Sequence, residues 1–241
     1  MVMLRQLIRS ATRRVGLDMR RYRPATSADA ALKGMLAAHG VNLVLDVGAN
    51  TGQFGTLLRE IGYAGRIVSF EPLSAARGKL TEAARNDALW EIAPPMAIGS
   101  GNGEIQLHVA GNSVSSSVLP MLESHATAAP ASAYVGNETV PLRTLDSVAP
   151  GYLRPDTVLF LKIDTQGYED RVLQGAEALL KRTKGVQLEL SLVPLYAGQR
   201  LFDELLAELQ ATGFELWNIT PAFVDPLHGR LLQIDATLFQ R

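Results

Sequence analysis

The chain has 241 residues, of which 47% are hydrophobic and 20% charged, which is enough to bury the core of one α/β domain with additions. It contains no cysteine, which excludes a disulfide framework, a thiolate nucleophile and a cysteine metal cluster. No apolar run has the length of a membrane span and the N-terminus lacks a signal-peptide core, so we expect a soluble, cytoplasmic protein.

The first 23 residues form a basic segment ahead of an acidic body. Seven arginines and Asp18 give this segment a net charge of +6, whereas the remaining chain has 16 basic and 23 acidic residues and a net charge of −7. Apolar residues recur between the arginines at helical spacing, which predicts a basic amphipathic helix within an N-terminal arm of residues 1–40. Two uses of residues 1–23 remain open: peripheral contact with an anionic membrane at its inner face, or packing on the domain with a solvated arginine face.

Helical and strand patterns alternate along residues 28–96. The first helix is capped by Ser27 or Asp29 and ends at Gly40. The patterns that follow are a strand at 43–47, a helix from 56, a strand at 66–71, a helix at 73–86 and a strand at 89–96. This β-α-β-α-β order predicts a doubly wound parallel sheet.

An insertion at 97–140 interrupts the alternation. The Gly/Asn turn at 101–103 and the alternating residues after it predict a hairpin over 98–110. Residues 111–137 are rich in Ser, Ala and Gly and lack periodicity, so we predict a long loop that serves as a substrate lid. The lid offers polar contacts from Ser115, Ser116, Ser117 and His125. The alternative is a disordered surface loop.

The second half of the chain completes a seven-stranded, mostly parallel sheet. A short strand at 139–142 precedes a helical turn, and the remaining predictions are strands at 158–163, 186–192, 214–219 and 231–239, with helices at 170–181 and 202–211. The last two strands lie close together in the sequence, which predicts an antiparallel pair at the sheet edge. We expect a single domain over residues 41–241.

A glycine loop and two acids indicate the ligand. A dinucleotide site of the G-x-G-x-x-G kind brings backbone amides to a pyrophosphate. Here Asp46 precedes Gly48, Asn50 and Gly52, and its negative charge suits a cationic ligand instead. Glu71, after the second strand, can accept hydrogen bonds from ribose hydroxyls. A ribose joined without phosphate to a cationic amino-acid group describes S-adenosylmethionine. The alternative is that both acids cap helices.

Four motifs, in order along the chain, resemble those of the FkbM-type S-adenosylmethionine-dependent methyltransferases. They are Leu45–Gly52, Ser69–Pro72, Ala97–Gly99 and Leu161–Glu169, and Ile234–Phe239 is similar to the family's last strand. The resemblance covers residues 41–241. It implies a class I methyltransferase (Rossmann-like) fold and methylation of hydroxyl oxygens on sugars, glycolipids or polyketides. Many relatives have Glu at the position of Gln166, and the Gln version looks similar to enzymes acting on deoxysugars of mycobacterial-type glycolipids.

The resemblance also implies roles for individual residues. The cofactor contacts would be Asp46, Gly48, Asn50, Gly52 and Glu71, joined by Gln53, Phe54 and Ala97 around the methionine and adenine groups. Asp164 is our candidate for the base that takes the acceptor proton, although it could instead orient the cofactor. Candidate acceptor contacts are Ser116, His125, Gln166 and Glu189, and Lys162 could pair with Asp164 or Glu189. We predict no obligatory metal, because two acids without a third ligand do not define a metal site.

Three functions compete at this point. The leading hypothesis is an O-methyltransferase with a small-molecule or glycolipid acceptor. A nucleic-acid methyltransferase would need a basic groove, whereas this body is acidic and has no Asn-Pro-Pro-Tyr-like tetrad after strand four, so we expect no nucleic-acid partner. A non-catalytic S-adenosylmethionine-binding subunit is the third. The oligomeric state stays open.

Overall fold

The fold is organised around a sheet whose two central strands are buried along their whole length. The computed structural model describes residues 10–17, 19 and 21–241. The strands of this described part are β1 Leu43–Val47, β2 Arg66–Phe70, β3 Trp90–Ile92, β4 Ala97–Ile98, β5 Gly103–Ala110, β6 Tyr134–Arg143, β7 Leu159–Ile163, β8 Thr183–Ser191, β9 Phe214–Val224 and β10 Leu231–Gln240. The main sheet has the order β3-β2-β1-β7-β8-β10-β9.

The strand directions in the main sheet confirm the predicted fold class. Pairs β2–β3, β1–β2, β1–β7 and β7–β8 are parallel, whereas β10 is antiparallel to both β8 and β9. This is the mostly parallel, Rossmann-like sheet of class I methyltransferases, with the predicted antiparallel pair at its edge. The chain leaves β1 toward β2 on one side and returns to β7 on the other, so the carboxyl ends of β1 and β7 border the crevice in which such sheets bind ligands.

Helices pack on both faces of the main sheet. Within the described residues they are α1 Ala28–Ala38, α2 Gln53–Glu60, α3 Ser74–Ala84, α4 Glu123–Ala128, α5 Leu145–Val148, α6 Glu169–Gln174, α7 Glu177–Leu180 and α8 Phe202–Ala211. The Ser27 hydroxyl accepts a hydrogen bond from the Ala30 amide, which confirms the predicted cap of α1. The predicted helix over 170–181 is divided in two, because α6 ends at Gln174 and α7 begins at Glu177, with Gly175 between them. A side chain there would overlap the carbonyl oxygen of Gly99.

A second, three-stranded sheet replaces the predicted hairpin. Its order is β4-β6-β5, so β6 lies between the two strands that were expected to pair with each other. β5 is antiparallel to β6 and β4 is parallel to it. The hairpin over 98–110 is therefore wrong. Apolar residues shared by the three strands explain the arrangement, because Leu107 and Val140 are buried together with Ala97.

Residues 111–133, which we call the inserted segment, have more structure than the predicted loop. They contain α4 and a 3-10 turn at Pro130–Ser132, and residues 134–137 belong to β6. The segment is fixed to the chain that follows β8, since the Leu122 amide donates to the Leu195 carbonyl and the Ala197 amide donates to the Pro120 carbonyl. The prediction that 111–137 is structureless is wrong.

The N-terminal region joins an exposed segment to a packed helix. In α1, Leu32 and Leu36 are buried in one cluster with Val44 and Phe160 of the sheet. Residues 10–13 are helical, and the exposed side chains ahead of α1 include Val15 and Tyr22. Residues 1–9, 18 and 20 of the predicted basic arm lie outside the described residues. In the part of the chain that the structure describes, no helix is long and apolar enough to cross a membrane.

Candidate active site

A cavity of about 680 Å³ lies beyond the carboxyl ends of β1, β2 and β7. One half is bordered by the loop after β1, by Glu71 and by β4, and the other half by the polar faces of β8, β10 and β9. The predicted site residues that line it are Gly48, Asn50, Gln53, Phe54, Glu71, Ala97, Ser116, His125, Asp164, Gln166 and Glu189. The structure therefore brings most of them together.

The loop after β1 has a backbone that requires small residues. Gly48 and Gly52 have positive φ angles of 78° and 91°, and Asn50 has a φ of 46°. The amides of Gly48 and Ala49 donate to the carbonyl of Phe70, at 3.0 and 3.1 Å, which ties the loop to the end of β2. Gly52 is the N-cap of α2 and does not line the cavity, so its role here is to turn the chain.

Glu71 presents a buried carboxylate to the same half of the cavity. Its side chain accepts hydrogen bonds from the Asn50 amide on Oε2 and from the Leu73 amide on Oε1, both at 2.8 Å. Burial raises the pKa of Glu71 to about 7, although these two hydrogen bonds oppose the shift. Each carboxylate oxygen retains a lone pair for a ligand, and the neighbouring wall formed by Phe70, Met96 and Ala97 is largely apolar.

Asp46 does not line the cavity, in contrast to the expectation that its carboxylate points into the crevice. It lies opposite Ser69 of β2 and Lys162 of β7 in the sheet, and all three side chains are buried. Its Oδ1 is 3.5 Å from the Lys162 ammonium and its Oδ2 accepts a hydrogen bond from the Ser69 hydroxyl. Burial raises the pKa of Asp46 and the Lys162 ammonium opposes that shift. A direct contact between Asp46 and the cofactor stays a prediction.

Lys162 connects Asp46 to Asp164. Its ammonium is 3.2 Å from Asp164 Oδ2 and lies 5.6 Å from the centre of the Phe54 ring. Burial disfavours the ammonium form, but the two carboxylates outweigh burial and the pKa of Lys162 is raised. Of the two predicted ion pairs, the structure contains the one with Asp164.

Gln166 joins Asp164 to Glu189. Its Nε2 donates to Asp164 Oδ1 at 2.8 Å and to Glu189 Oε2 at 2.6 Å, while the Tyr196 hydroxyl donates to its Oε1 at 2.8 Å. Burial, followed by the charges of Asp164 and Asp235, raises the pKa of Glu189 well above its usual value. Gln166 thus contacts two acids at once.

The inserted segment covers this end of the cavity. His125 is 2% exposed, its Nε2 is 3.2 Å from the Ser115 hydroxyl, and burial lowers the pKa of His125 to about 4. An imidazole in this environment is neutral at pH 7. The Ser116 hydroxyl accepts a hydrogen bond from the Ala110 amide, and Ser113 donates one to Asn50 Oδ1. The segment therefore contacts both halves of the site.

Sequence reasoning missed a group of polar residues on one face of the sheet. They are Gln187 on β8, Asn218 and Thr220 on β9, and Gln233, Asp235 and Thr237 on β10. Along β9 and β10 these residues stand two positions apart, and Gln187 stands two positions before Glu189 on β8. A search of these strands for polar residues at every second position could therefore have found them. No group of three or more acidic or histidine side chains in the described residues could hold a metal ion, and the metal prediction remains untested.

Comparison with known proteins identifies one matching family. Residues 46–216 match the sequence model of the methyltransferase FkbM domain. No curated protein sequence matches the chain. Among solved structures, TehB from Haemophilus influenzae has 9% identity over 88% of this chain and a TM-score of 0.47, and the match spans only 62% of the TehB chain. An rRNA methylase from Streptococcus thermophilus has 12% identity over 92% of this chain and 99% of its own, with a TM-score of 0.46. Because the domain match extends over most of its length, the chain belongs to the FkbM methyltransferase family, whose members use S-adenosylmethionine.

Proposed function

We propose that this protein is an O-methyltransferase that methylates a hydroxyl group of a sugar, glycolipid or polyketide-type acceptor. The observation that carries the proposal is the position of Asp164. Its carboxylate lies at the cavity between the Lys162 ammonium and the Gln166 amide, at the carboxyl end of a central strand. A carboxylate oriented in this way can accept the proton of a bound hydroxyl.

The half of the cavity around Glu71 fits the adenosine part of S-adenosylmethionine. The buried carboxylate suits the ribose hydroxyls, and the apolar wall suits the adenine. Gly48, Asn50 and Glu71 would hold the nucleoside, with Gln53 and Phe54 near the amino-acid end. When bound, this cofactor supplies a methyl group that leaves sulfur as the new carbon–oxygen bond forms, which gives the acceptor ether and S-adenosylhomocysteine.

The other half of the cavity has two chemically different walls. The polar face of β8, β10 and β9 forms one wall, and Leu32, Met35, Phe54 and Leu57 of α1 and α2 contribute apolar side chains to the other. A sugar ring has hydroxyl groups at its rim and C–H groups on its faces, so it matches both walls. This arrangement supports a polyhydroxylated acceptor. The acidic body argues against a nucleic-acid acceptor, because phosphate binding requires basic side chains.

The role of the protein in the chemical step is to position the acceptor and to take its proton. Lys162 and Gln166 each donate to one oxygen of Asp164, so the carboxylate cannot rotate freely. Holding an acceptor oxygen in line with the methyl group supplies much of the rate enhancement in such a displacement. The proton of the hydroxyl then moves to Asp164.

The test is a labelling experiment with methyl-labelled S-adenosylmethionine and a cell extract separated into glycolipid, polyketide and nucleic-acid pools. We expect label in the glycolipid or polyketide pool, and a decrease of about 10²- to 10⁴-fold for Asp164→Asn. Cofactor binding should be lost in Glu71→Ala. Label in nucleic acid or protein would overturn the proposal, and cofactor binding without transfer to any pool would favour a non-catalytic subunit.

We also propose that the region ahead of α1 contacts an anionic membrane surface at the cytoplasmic side. Val15, Leu17, Met19 and Tyr22 are each at least 60% exposed in a segment with several arginines. The segment leads directly into α1, whose Ala28 and Asp29 line the cavity, so a lipid-linked acceptor would be close to it. Deletion of residues 1–23 should abolish binding to phosphatidylglycerol vesicles and leave cofactor affinity unchanged. Unchanged vesicle binding would refute the membrane contact.

A further inference from the structure

The side-chain amide of Gln166 hydrogen-bonds to both Asp164 and Glu189, the two acids in the half of the cavity proposed to hold the acceptor. We propose that Tyr196 and Gln166 are positioning residues that fix the orientation of the Asp164 carboxylate and couple it to Glu189, and that this requires an amide instead of a carboxylate at residue 166. The inference rests on the proposed role of Asp164. It assigns no contact between either positioning residue and the reacting atoms.

The hydrogen bonds determine which way the Gln166 amide faces. The Tyr196 hydroxyl lies 2.8 Å from Oε1 and 3.2 Å from the Ser115 carbonyl, so the nearer Oε1 is the better acceptor for its single proton. The two N–H groups of Nε2 are donors to Asp164 and Glu189. A reversed amide would place Oε1 within 2.8 Å of two carboxylate oxygens, an arrangement without a donor unless one acid is protonated. Tyr196 therefore holds the amide in the orientation that serves both acids.

The surrounding structure holds Gln166 and Tyr196 in place. Gln166 has a positive φ of 54°, and its carbonyl accepts a hydrogen bond from the Ser117 hydroxyl at 2.7 Å. Tyr196 is fully buried, and a side chain at Gly167 would approach its ring to 3.1 Å. Because Ser117 belongs to the inserted segment and Tyr196 to the chain that follows β8, the orientation of Asp164 depends on how these two segments pack.

A carboxylate at residue 166 would change the balance of donors and acceptors. It would add a third acid within hydrogen-bond distance of two others and would remove the two N–H donors that separate them. Like charges at such distances disfavour the ionised state, so the cluster would retain protons to higher pH. The titratable and charged groups that face this cluster are Asp46 on β1, Tyr134 on β6, Lys162 and Asp164 at β7, Glu169 in α6, Glu189 on β8, Tyr196 after β8, Asp235 on β10 and His125 in α4.

The test compares Gln166→Glu and Tyr196→Phe with the wild-type protein. The readouts are the pH profile of methyl transfer to the pool that accepts label, the affinity for S-adenosylmethionine measured by calorimetry, and the titration of side-chain carboxyl carbons followed by ¹³C NMR. We expect Gln166→Glu to reduce transfer at pH 7 at least tenfold and to move the acid limb and the carboxyl titrations of the cluster upward by about one pH unit. Cofactor affinity should change less than twofold.

Tyr196→Phe removes one hydroxyl from a buried ring and tests the same inference without adding charge. We expect a decrease in kcat of at least fivefold with an unchanged KM for the cofactor. A wild-type pH profile in folded Gln166→Glu, or a wild-type kcat in folded Tyr196→Phe, would overturn the inference, even if Asp164→Asn is inactive. Full activity of Asp164→Asn would instead refute the proposed base, and with it this inference.

Discussion

Gly48 and Asp164 are in backbone contact across the two central strands of the sheet. A side-chain carbon at residue 48 would overlap the carbonyl oxygen of Asp164, and the Asp164 amide donates to the Val47 carbonyl at 3.0 Å. The loop proposed to hold the cofactor and the residue proposed to take the proton are therefore parts of one rigid junction. A change on either side of the junction should affect binding and chemistry together.

Gly48→Ala tests this junction. The methyl group would push the Asp164 backbone away, and the positive φ at residue 48 adds strain of about 1–3 kcal/mol. We expect weaker cofactor binding by calorimetry and a lower free energy of unfolding in denaturant. Gly78→Ala in α3 is the matched control, because nothing lies within 4 Å of its added carbon and its φ is not positive. That control should bind the cofactor normally and be more stable by about 0.5–1 kcal/mol.

The raised pKa of Glu71 predicts pH-dependent cofactor binding. Ribose hydroxyls donate to a carboxylate, so the proton must leave Glu71 when the cofactor binds. With a pKa of about 7, affinity should increase as the pH rises through 7 and decrease about tenfold per pH unit well below it. Calorimetry between pH 5.5 and about 8.5 measures this dependence. Glu71→Gln should bind weakly at every pH, and an unchanged slope in that variant would assign the proton to another group.

Without the cofactor, Glu71 should make the free energy of unfolding decrease as the pH rises, whereas it makes cofactor affinity increase. Burial raises the pKa of this carboxyl from 4.5 to about 7, so the native state favours its protonated form. The stability that this preference contributes is complete below pH 4.5 and is lost as the pH rises through 7. Glu71→Gln should flatten that part of the stability profile measured in denaturant.

Lys162→Met should destabilise the protein because Asp46 would lose its ammonium partner. Breaking a buried ion pair from one side costs about 3–5 kcal/mol, whereas removing both charges costs less. We therefore expect the double variant Asp46→Asn, Lys162→Met to recover part of the lost free energy of unfolding. The single variant should be less destabilised in acid, since burial raises the pKa of Asp46 and a protonated Asp46 needs no cation. Equal unfolding free energies for the single and double variants would contradict this coupling.

The residues at the strand ends could be predicted from sequence because their signals are local. A short apolar run that ends in an acid locates Glu71 and Asp164 whatever the rest of the chain does, and the structure places both at the cavity. The same argument misplaced the Asp46 carboxylate. Asp46 is still within its strand. Its side chain therefore lies under the cavity, beside Ser69 and Lys162 of the two neighbouring strands.

Contacts between distant segments could not be predicted in this way. The turn at 101–103 indicates a hairpin, but the partner of β5 is β6, which begins at Tyr134. Tyr196 lies in an irregular segment after β8, and only the folded chain brings it to Gln166. The alternation of polar residues along β9 and β10 is visible in the sequence. That these residues line one cavity depends on the order of strands in the sheet, which the sequence pattern does not show.

Thr220→Val tests whether the polar sheet face binds the acceptor. Thr220 lies on β9 opposite Asp235 and lines the cavity, and valine keeps its shape while removing the hydroxyl. Loss of one hydrogen bond costs about 0.5–1.5 kcal/mol, so the KM for the acceptor should rise about two- to twelvefold while cofactor affinity stays constant. Ile219→Thr is the control on the opposite face of the same strand, where the side chain is 45% exposed, and it should leave both constants unchanged. A rise in acceptor KM for the control but not for Thr220→Val would place the acceptor elsewhere, because only the cavity-facing side of β9 is expected to contact it.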